Sequence, residues 1–311
     1  MTNLLHSYYN NIQGIHIIDS KIKGPTIGII ACTHGGETVG IKVIKKIEQL
    51  IKQKNHILKG KIICILANIQ AYKKNRELQT SVGKRKENMI ISRYIEENLN
   101  RCCDSKSLKN PISYERRRAN ELTPVLKSID IVIDIHSTTH PSGSTAIHTQ
   151  KSYPKFKNIL NTDDIYINLI ETIKGKPLID ITNRAGGIGI CIETGCQADI
   201  SGYKTGLDNV CRILSSLKVL GKIDLSQNKI FLPKKKNKKY SIIGSIMMHD
   251  ATFKPVKQFK NLEKIKKGEP IAYEAKKIIY AKEDCLIIMP GLNKPGEEYC
   301  FLAKPLSSII K

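Results

Sequence analysis

The sequence predicts an α/β fold followed by a smaller all-β domain, and three observations carry this prediction. Strand-like apolar runs such as Thr26–Ala31 alternate with helix-like segments through the first two thirds of the chain. These runs are continuously apolar, which is typical of strands in a sheet that helices cover on both faces. After about residue 222, short strand-like runs separated by glycine and proline turns take over. We therefore predict domains over residues 1–221 and 222–311.

The predicted elements follow one another along the chain in a regular order. The segment 38–54 has apolar residues at helical spacing, including Val39, Val43 and Ile47, and predicts an amphipathic helix. Further strands are predicted at Lys61–Ala67, Ile129–Ile133 and Ile188–Glu193, and further helices at Tyr114–Ser128 and Tyr203–Leu220. In the β domain, the predicted strands are Ser241–Met248, Pro270–Tyr273, Lys277–Tyr280, Cys285–Met289 and Tyr299–Ala303.

Composition narrows the protein class. The chain has 311 residues, 41% of them hydrophobic and 25% charged, as in an ordinary soluble globular protein. No apolar run approaches the roughly 20 residues that a membrane helix needs, and the first residues do not resemble a signal peptide. The nine cysteines form no recognisable disulfide pattern. These observations predict a cytoplasmic protein with reduced thiols and no membrane partner.

The formal net charge of +23 raises the alternative of a nucleic-acid-associated basic binding module. The charge is spread along the chain, however, and aromatic residues make up only 5%. The densest run, residues 234–239, is interpreted as a solvated linker. We therefore expect no specific nucleic acid as a partner, although a positive field would help to attract a small anionic substrate.

Two short segments about a hundred residues apart carry metal-ligand residues. His34 and Glu37 follow the first buried strand, and His136 ends another. Two imidazoles and one carboxylate form a typical catalytic zinc set, which leaves one coordination position open. Asp134 lies two residues before His136 on the same face of its strand and is placed to orient an imidazole. The alternative is that both histidines are merely hydrogen-bonded residues near the sheet edge.

Hydrolysis at such a zinc ion needs a general base and a group that stabilises the developing negative charge. Glu193 is the single acid at the end of an apolar strand, where burying a carboxylate is costly unless it has a use. Arg93 and Arg101 offer guanidinium groups that can bind carboxylates with two hydrogen bonds. Both arginines could equally be surface charges of a basic protein.

Together these residues resemble the aspartoacylase and succinylglutamate desuccinylase family, a branch of the zinc carboxypeptidase-like fold, and more closely its aspartoacylase side. The resemblance covers nearly the whole chain and implies a mixed sheet flanked by helices, with the β domain capping the active site. The motifs that carry it are His34-Gly35-Gly36-Glu37, Arg93-Tyr94-Ile95, Leu99-Asn100-Arg101, Asp134-Ile135-His136-Ser137-Thr138, Ile192-Glu193-Thr194-Gly195 and Gly296-Glu297-Glu298-Tyr299.

The resemblance implies a role for each matching residue. His34, Glu37 and His136 would bind one Zn²⁺ per chain, Glu193 would be the general base, and Arg93 would polarise the scissile carbonyl. Residues that would bind the substrate are Asn100, Arg101, Arg184 and Tyr299. Because the chain carries extra residues between Asn68 and Arg93, Arg76 competes with Arg93 for the catalytic match.

The resemblance implies a zinc-dependent amidohydrolase that removes an acyl group, most simply acetyl, from an N-acyl amino acid. A second cationic contact from Arg184 favours an acidic amino acid, so N-acetylaspartate is the leading substrate. Succinylglutamate desuccinylation and a carboxypeptidase-like peptidase activity stay open as alternatives. The sequence also leaves the oligomeric state open, with a homo-oligomer among the options.

Overall fold

The computed structural model describes residues 3–54, 59–82, 92–138, 142–196, 201–221, 232–291 and 294–306. The chain divides into two compact units. The first comprises Met1–Ile165 and Gly175–Asn237, and the second comprises Tyr166–Lys174 and Lys238–Lys311. The sequence placed this boundary at residues 221 and 222. The structure places it sixteen residues later and assigns a short earlier segment to the second unit.

The described strands and helices are numbered in chain order. The strands are β1 Tyr8–Tyr9, β2 Ile12–Gln13, β3 Ile15–Asp19, β4 Thr26–Ala31, β5 Lys61–Leu66, β6 Ile131–Thr138, β7 Thr145–His148, β8 Asp164–Ile167, β9 Ile188–Cys196, β10 Lys238–Met247, β11 Lys254–Pro255, β12 Glu263–Ile265, β13 Pro270–Glu274, β14 Lys277–Tyr280, β15 Cys285–Ile288 and β16 Glu298–Pro305. The helices are α1 Val39–Lys54, α2 Ile69–Val82, α3 Ser105–Lys109, α4 Tyr114–Lys127, α5 Tyr153–Phe156, α6 Leu169–Thr172, α7 Leu178–Arg184 and α8 Ser201–Ser216.

The first unit is built on a mixed sheet with the strand order β7-β9-β6-β4-β5-β3. The four strands β9, β6, β4 and β5 run parallel, whereas β3 and β7 are antiparallel to their neighbours. The four parallel strands agree with the prediction, and their interior residues are almost all buried. The flanking strands β3 and β7 are short and contain histidine, so their apolar signal was too weak to predict them.

Helices cover both faces of this sheet. Helices α1 and α8 pack together on one face, where a Cβ on Gly206 of α8 would lie 3.1 Å from Val43 of α1. Helices α4 and α7 lie on the other face, where the Thr182 hydroxyl donates to the Leu126 carbonyl. The α/β fold with both faces covered is confirmed, and the amphipathic pattern of α1 has its physical reason in this packing.

The second unit contains an antiparallel sheet with the strand order β12-β15-β16-β10 and a separate three-stranded sheet, β11-β13-β14. Its apolar core includes Phe253, Phe259, Ile271 and Tyr299. The predicted strand Lys277–Tyr280 has the same bounds in the structure, and the other predicted strands of this domain differ from the observed ones by a few residues at their ends.

Three other expectations can be compared with the described residues. The run 234–239 is not simply solvated, because the Lys234 ammonium donates to the Leu160 carbonyl and Lys235 pairs with Asp163 at 2.9 Å. All nine cysteines lie in the described ranges, and none of them forms a disulfide bond there. In the described segments, none of the helices has the length and apolar content required to span a membrane.

Candidate metal centre and active site

The turn after β4 carries His34 and Glu37. It begins at Cys32, whose φ of 54° is in the left-handed region. Gly35 and Gly36 of the same turn do not have a positive φ. Gly35 is needed for another reason: a Cβ there would lie 2.4 Å from the Ala71 carbonyl. The turn therefore passes directly against helix α2 and ends where α1 begins.

His136 and Glu193 come from neighbouring parallel strands at one edge of the sheet. Their Cα atoms are register partners between β6 and β9, as are those of Asp134 and Cys191. Because side chains two residues apart share a face of a strand, Asp134, His136 and Glu193 all point to the same side of the sheet. The sequence predicted that Glu193 ends its strand. In the structure β9 continues to Cys196, so Glu193 lies inside the strand.

His34, Glu37 and His136 converge in the structure. The Nδ1 atoms of the two histidines lie 2.8 Å from the two carboxylate oxygens of Glu37, one on each. One ligand atom from each residue lies within 4.8 Å of the others, and all three side chains are buried. Ligand atoms that share a tetrahedral zinc ion lie roughly 3.4 Å apart, given bonds of about 2.1 Å. The donor types and their spacing thus fit one zinc ion.

The Nε2 atom of each histidine contacts a side chain that can fix its ring. Asp134 Oδ2 lies 2.9 Å from Nε2 of His136, as the sequence predicted. Asn98 Oδ1 lies 3.1 Å from Nε2 of His34, a contact that sequence reasoning missed. In both rings Nδ1 is therefore directed toward Glu37. Such contacts fix the orientation and tautomer of histidines that bind metals.

Burial and charge act on the three candidate ligands in different directions. Burial opposes ionisation of Glu37, but the adjacent His34 and His136 outweigh it and hold the pKa of Glu37 well below its usual range. Burial lowers the pKa of His34 to about 4, and the nearby Arg93 adds to this effect. Burial also acts to lower the pKa of His136, but Asp134 and Glu37 raise it well above the usual value. Before any cation binds, these effects favour an ionised Glu37 carboxylate between the two rings.

Glu193 has the properties of a proton acceptor beside this cluster. Burial raises the pKa of its carboxyl to about 7, and Glu37 contributes in the same direction, while His136 and Arg93 oppose the shift. Its Oε2 atom is buried and has no hydrogen-bond partner among the described residues. A general base works best when its pKa is near the working pH, so both features suit the predicted role.

Arg93 and Arg76 lie in different places. A guanidinium nitrogen of Arg93 lies 3.7 Å from Glu37 Oε1, and the Arg93 backbone carbonyl accepts from the Gly35 amide at 2.9 Å. Arg76 lies on α2, where its guanidinium stacks over the ring of Tyr72 on the same helix. The structure therefore brings Arg93 to the candidate metal centre, and it gives Arg76 a contact within its own helix.

Asn100 and Arg101 follow the turn that contains Asn98. The Asn100 amide nitrogen lies 3.4 Å from Nε2 of His136, and its amide oxygen accepts from the Leu178 backbone at 3.2 Å. The Arg101 guanidinium donates to the Asn100 carbonyl at 2.9 Å. Asn100 therefore lies near His136, and the predicted binding of a substrate carboxylate by Asn100 and Arg101 stays a prediction.

The structure does not bring Arg184 to this site. Its guanidinium pairs with Asp180 at 2.8 Å and donates to the Cys103 carbonyl, at the far end of α7. The chain then enters β9 at Ile188. Glu193 lies five residues farther along that strand, which places it about 16 Å from Ile188. Arg184 and Glu193 are thus separated by much of the length of a strand, and the contacts seen for Arg184 do not support an acidic substrate.

Tyr299 lies in the apolar core of the second unit. Its ring contacts that of Phe253 at a centroid distance of 5.1 Å, and only 3% of the residue is exposed. Its predicted contact with a substrate, like the capping role of the β domain, stays a prediction.

The sequence pattern of the succinylglutamate desuccinylase/aspartoacylase catalytic domain matches residues 23–203. A probable aspartoacylase from Nostoc is 31% identical over an alignment of 185 residues that covers 55% of each chain. N-acyl-aromatic-L-amino acid amidohydrolase (carboxylate-forming) B from Danio rerio is 31% identical over 134 residues, 39% of this chain and 38% of the relative. The chain thus spans about half, or less, of the length of these curated relatives.

Solved structures show the same fold. Succinylglutamate desuccinylase from Vibrio cholerae superposes with a TM-score of 0.69 at 17% identity, covering 94% of this chain and 85% of that one. The corresponding protein from Chromobacterium violaceum gives a TM-score of 0.64 at 16% identity, covering 94% and 88%. The fold, the order of the motifs and the matched domain agree, and the chain belongs to the succinylglutamate desuccinylase/aspartoacylase family.

Proposed function

We propose that this protein is a zinc-dependent amidohydrolase that cleaves the amide bond of an N-acyl amino acid. The observation that carries the proposal is the convergence of His34, Glu37 and His136 next to a carboxylate with a raised pKa, Glu193. The curated relatives support the reaction class, because their names describe aspartoacylases and an N-acyl amino acid amidohydrolase.

The proposed zinc ligands are His34, Glu37 and His136. When bound, zinc would supply Lewis acidity, which polarises a carbonyl oxygen and lowers the pKa of a water molecule. The chain contributes the geometry: Asp134 and Asn98 hold the two rings, and the buried position of Glu37 keeps a negative charge between them. A dication at this place would compensate a carboxylate that is otherwise costly to bury.

Glu193 is the proposed general base. Its unpartnered Oε2 atom would accept a proton from the attacking water and later deliver it to the leaving amine. Arg93 is the proposed electrostatic partner, because its guanidinium is the cation beside Glu37 and would stabilise negative charge that develops on the carbonyl oxygen. Asn100 and Arg101 are proposed to bind the α-carboxylate of the substrate.

The acyl group and the amino acid are not determined by these roles. N-acetylaspartate remains the first substrate to test, but the contact expected from Arg184 no longer supports an acidic side chain, because that guanidinium pairs with Asp180. Succinylglutamate is the second, since the family includes desuccinylases. An N-acetylated aromatic amino acid is the third, in view of the Danio rerio relative.

The test is to load purified protein with Zn²⁺ and to measure the release of primary amine from these three substrates. We expect turnover of at least one substrate, loss of activity on chelation, and recovery when zinc is restored. E193Q should bind zinc as the unmodified protein does and lose at least 100-fold in kcat. Absence of zinc binding, or undiminished turnover in E193Q, would refute the proposal.

A further inference from the structure

The carboxylate of Glu115 has no role in the proposed reaction, yet it is one of the most completely bonded acids in the first unit. The residue is fully buried in the first turn of α4. Oε1 accepts from the backbone amide of Ile95 at 2.7 Å, and Oε2 accepts from the amides of Glu96 and Glu97 at 3.2 and 3.3 Å. Three consecutive amides thus surround one carboxylate, an arrangement that binds anions.

The segment held by Glu115 lies between residues of the candidate site. Arg93 precedes the three amides by two residues, and Asn98, which contacts His34, follows them directly. The Gly35 amide also donates to the Arg93 carbonyl, so the segment contacts the turn that carries the metal ligands. A shift of residues 95–97 would therefore move Arg93, whereas Asn98 is also held by the backbone amides of Asn100 and Arg101.

The contact between this segment and α4 is reciprocal. Glu96 Oε2 accepts from the Tyr114 backbone amide at 2.6 Å, and Glu97 pairs with Arg116 at 2.8 Å. Carboxylates of the segment thus bind the start of α4, while the carboxylate of α4 binds the amides of the segment. Negative charge at the start of a helix is favourable in its own right.

Glu115 also connects the segment to the sheet. Its Oε1 atom accepts from the side-chain amide nitrogen of Asn68 at 3.2 Å, and Asn68 Oδ1 accepts from the backbone amide of Ala71 at the start of α2. Asn68 lies two residues after the end of β5 and is fully buried. If the segment moved away, Glu115 would be a buried carboxylate with most of its hydrogen bonds broken, which is strongly unfavourable. The segment is therefore held in a single position.

We propose that Glu115 is a positioning residue that places Arg93 against the metal centre through the amides of residues 95–97. The inference rests on the proposed function for its kinetic consequence. It assigns no contact with the substrate to Glu115 itself. The carboxylate acts on catalysis through Arg93.

A double-mutant cycle with R93A tests this inference. E115Q keeps the size of the side chain but removes the negative charge and replaces one acceptor oxygen with a donor. We expect E115Q to lower kcat by 10- to 100-fold, with a smaller change in KM and unchanged zinc content. In the R93A background, E115Q should cause less than a twofold further loss, because the group on which it acts is gone. Multiplicative losses, or full activity of E115Q, would overturn the proposal.

Two further variants control for folding. E48Q alters another buried glutamate of the first unit, on α1, and should leave kcat unchanged. E97A removes a partly exposed partner of Arg116 and is expected to fold even where E115Q does not. Like E115Q, E97A should lower kcat when Arg93 is present and should have little effect in the R93A background. Loss of activity in E97A that persists without Arg93 would contradict the proposed route.

Amide hydrogen exchange separates this inference from the proposed function. In E115Q, the amides of residues 93–101 should exchange at least tenfold faster than in the unmodified protein, while those of β6 should not change. If no substrate is ever turned over but this increase is seen, the proposed function fails and the positioning role stands. If exchange in the segment is unchanged, Glu115 does not position it.

Discussion

Nδ1 of His136 lies 2.8 Å from Oε2 of Glu37, although 99 residues separate the two along the chain. His34 approaches the other oxygen of the same carboxylate. One side chain thus joins the end of β6 to the turn after β4. The parallel pairing of these two strands makes this possible, because it brings both carboxyl ends to one edge of the sheet.

The first prediction concerns the metal itself. H136A removes one of three proposed ligands, and the zinc content of the purified protein should fall from about one ion per chain to below a tenth. The matched control is H249A, since His249 is 70% exposed in the second unit and lies outside the cluster. Elemental analysis after dialysis against a weak chelator measures both. Equal zinc content in the two variants would show that the ion is bound elsewhere.

The second prediction concerns Asp134, which lies 2.9 Å from Nε2 of His136. D134N should weaken zinc binding by 10- to 100-fold, because an amide orients the imidazole less firmly and makes it a weaker ligand. Competition with a chromogenic chelator gives the dissociation constant. D130N is the control: Asp130 precedes the same strand, and its carboxylate accepts from the Thr26 amide. Its affinity for zinc should be unchanged.

The sequence was sufficient to predict the parallel strands and the helices α1, α4 and α8, because each of these segments has a clear apolar pattern. It was also sufficient to predict the contact of Asp134 with His136, since residues two apart share a face of a strand. It could not give the pairing of β3 and β7, whose short, partly polar stretches are stabilised by their neighbours. Tertiary context determines such strands more than local preference does.

The residues that position the site were the hardest to predict. Asn98 and Glu115 contact the site or its segment through side-chain and backbone hydrogen bonds that leave no periodic trace in the sequence. Arg184 shows the opposite error. The resemblance implied that it binds the substrate, but α7 and the length of β9 place it away from the cluster. A short motif can therefore be assigned to a site only when the course of the chain between its residues is known.

The third prediction distinguishes the two candidate arginines. R93K should lower kcat by at least tenfold, because an ammonium cannot reproduce the planar donor arrangement of a guanidinium beside Glu37. R76K should leave kcat within a factor of two, since Arg76 contacts Tyr72 on its own helix. Steady-state kinetics with the best substrate measure both. A larger loss in R76K than in R93K would reassign the catalytic arginine.

The fourth prediction concerns recognition of the substrate carboxylate. R101A should raise KM by roughly 10- to 100-fold, which corresponds to about 1.5–3 kcal/mol for a hydrogen bond to a charged group. R184A should change KM by less than twofold, because its guanidinium is paired with Asp180. The comparison is made for acidic and neutral N-acyl amino acids. A KM effect of R184A confined to the acidic substrate would restore the role that the sequence suggested.

The last prediction follows from the raised pKa of Glu193, about 7 against an ordinary 4.5. Below pH 4.5 the carboxyl is protonated in both the folded and the unfolded protein, so it does not affect stability. Between pH 4.5 and pH 7 the carboxyl ionises in the unfolded chain but stays protonated in the folded protein, so the folded state loses stability as the pH rises. Above pH 7 the full cost of the buried charge is present. In zinc-free protein, E193Q should therefore raise the free energy of unfolding by about 2 kcal/mol at pH 8 and have almost no effect at pH 4.

Thermal or urea unfolding at the two pH values measures this difference. D284N is the control, because the pKa shift of Asp284 has the opposite direction: a hydrogen bond from Lys266 lowers the pKa of this exposed carboxyl. Removing its charge should therefore give no stabilisation at pH 8. Zinc should reduce the advantage of E193Q, since a nearby dication favours the ionised carboxylate that glutamine lacks. If E193Q is no more stable than the unmodified protein at pH 8 without zinc, burial does not raise the pKa of Glu193, and another group must be sought as the base.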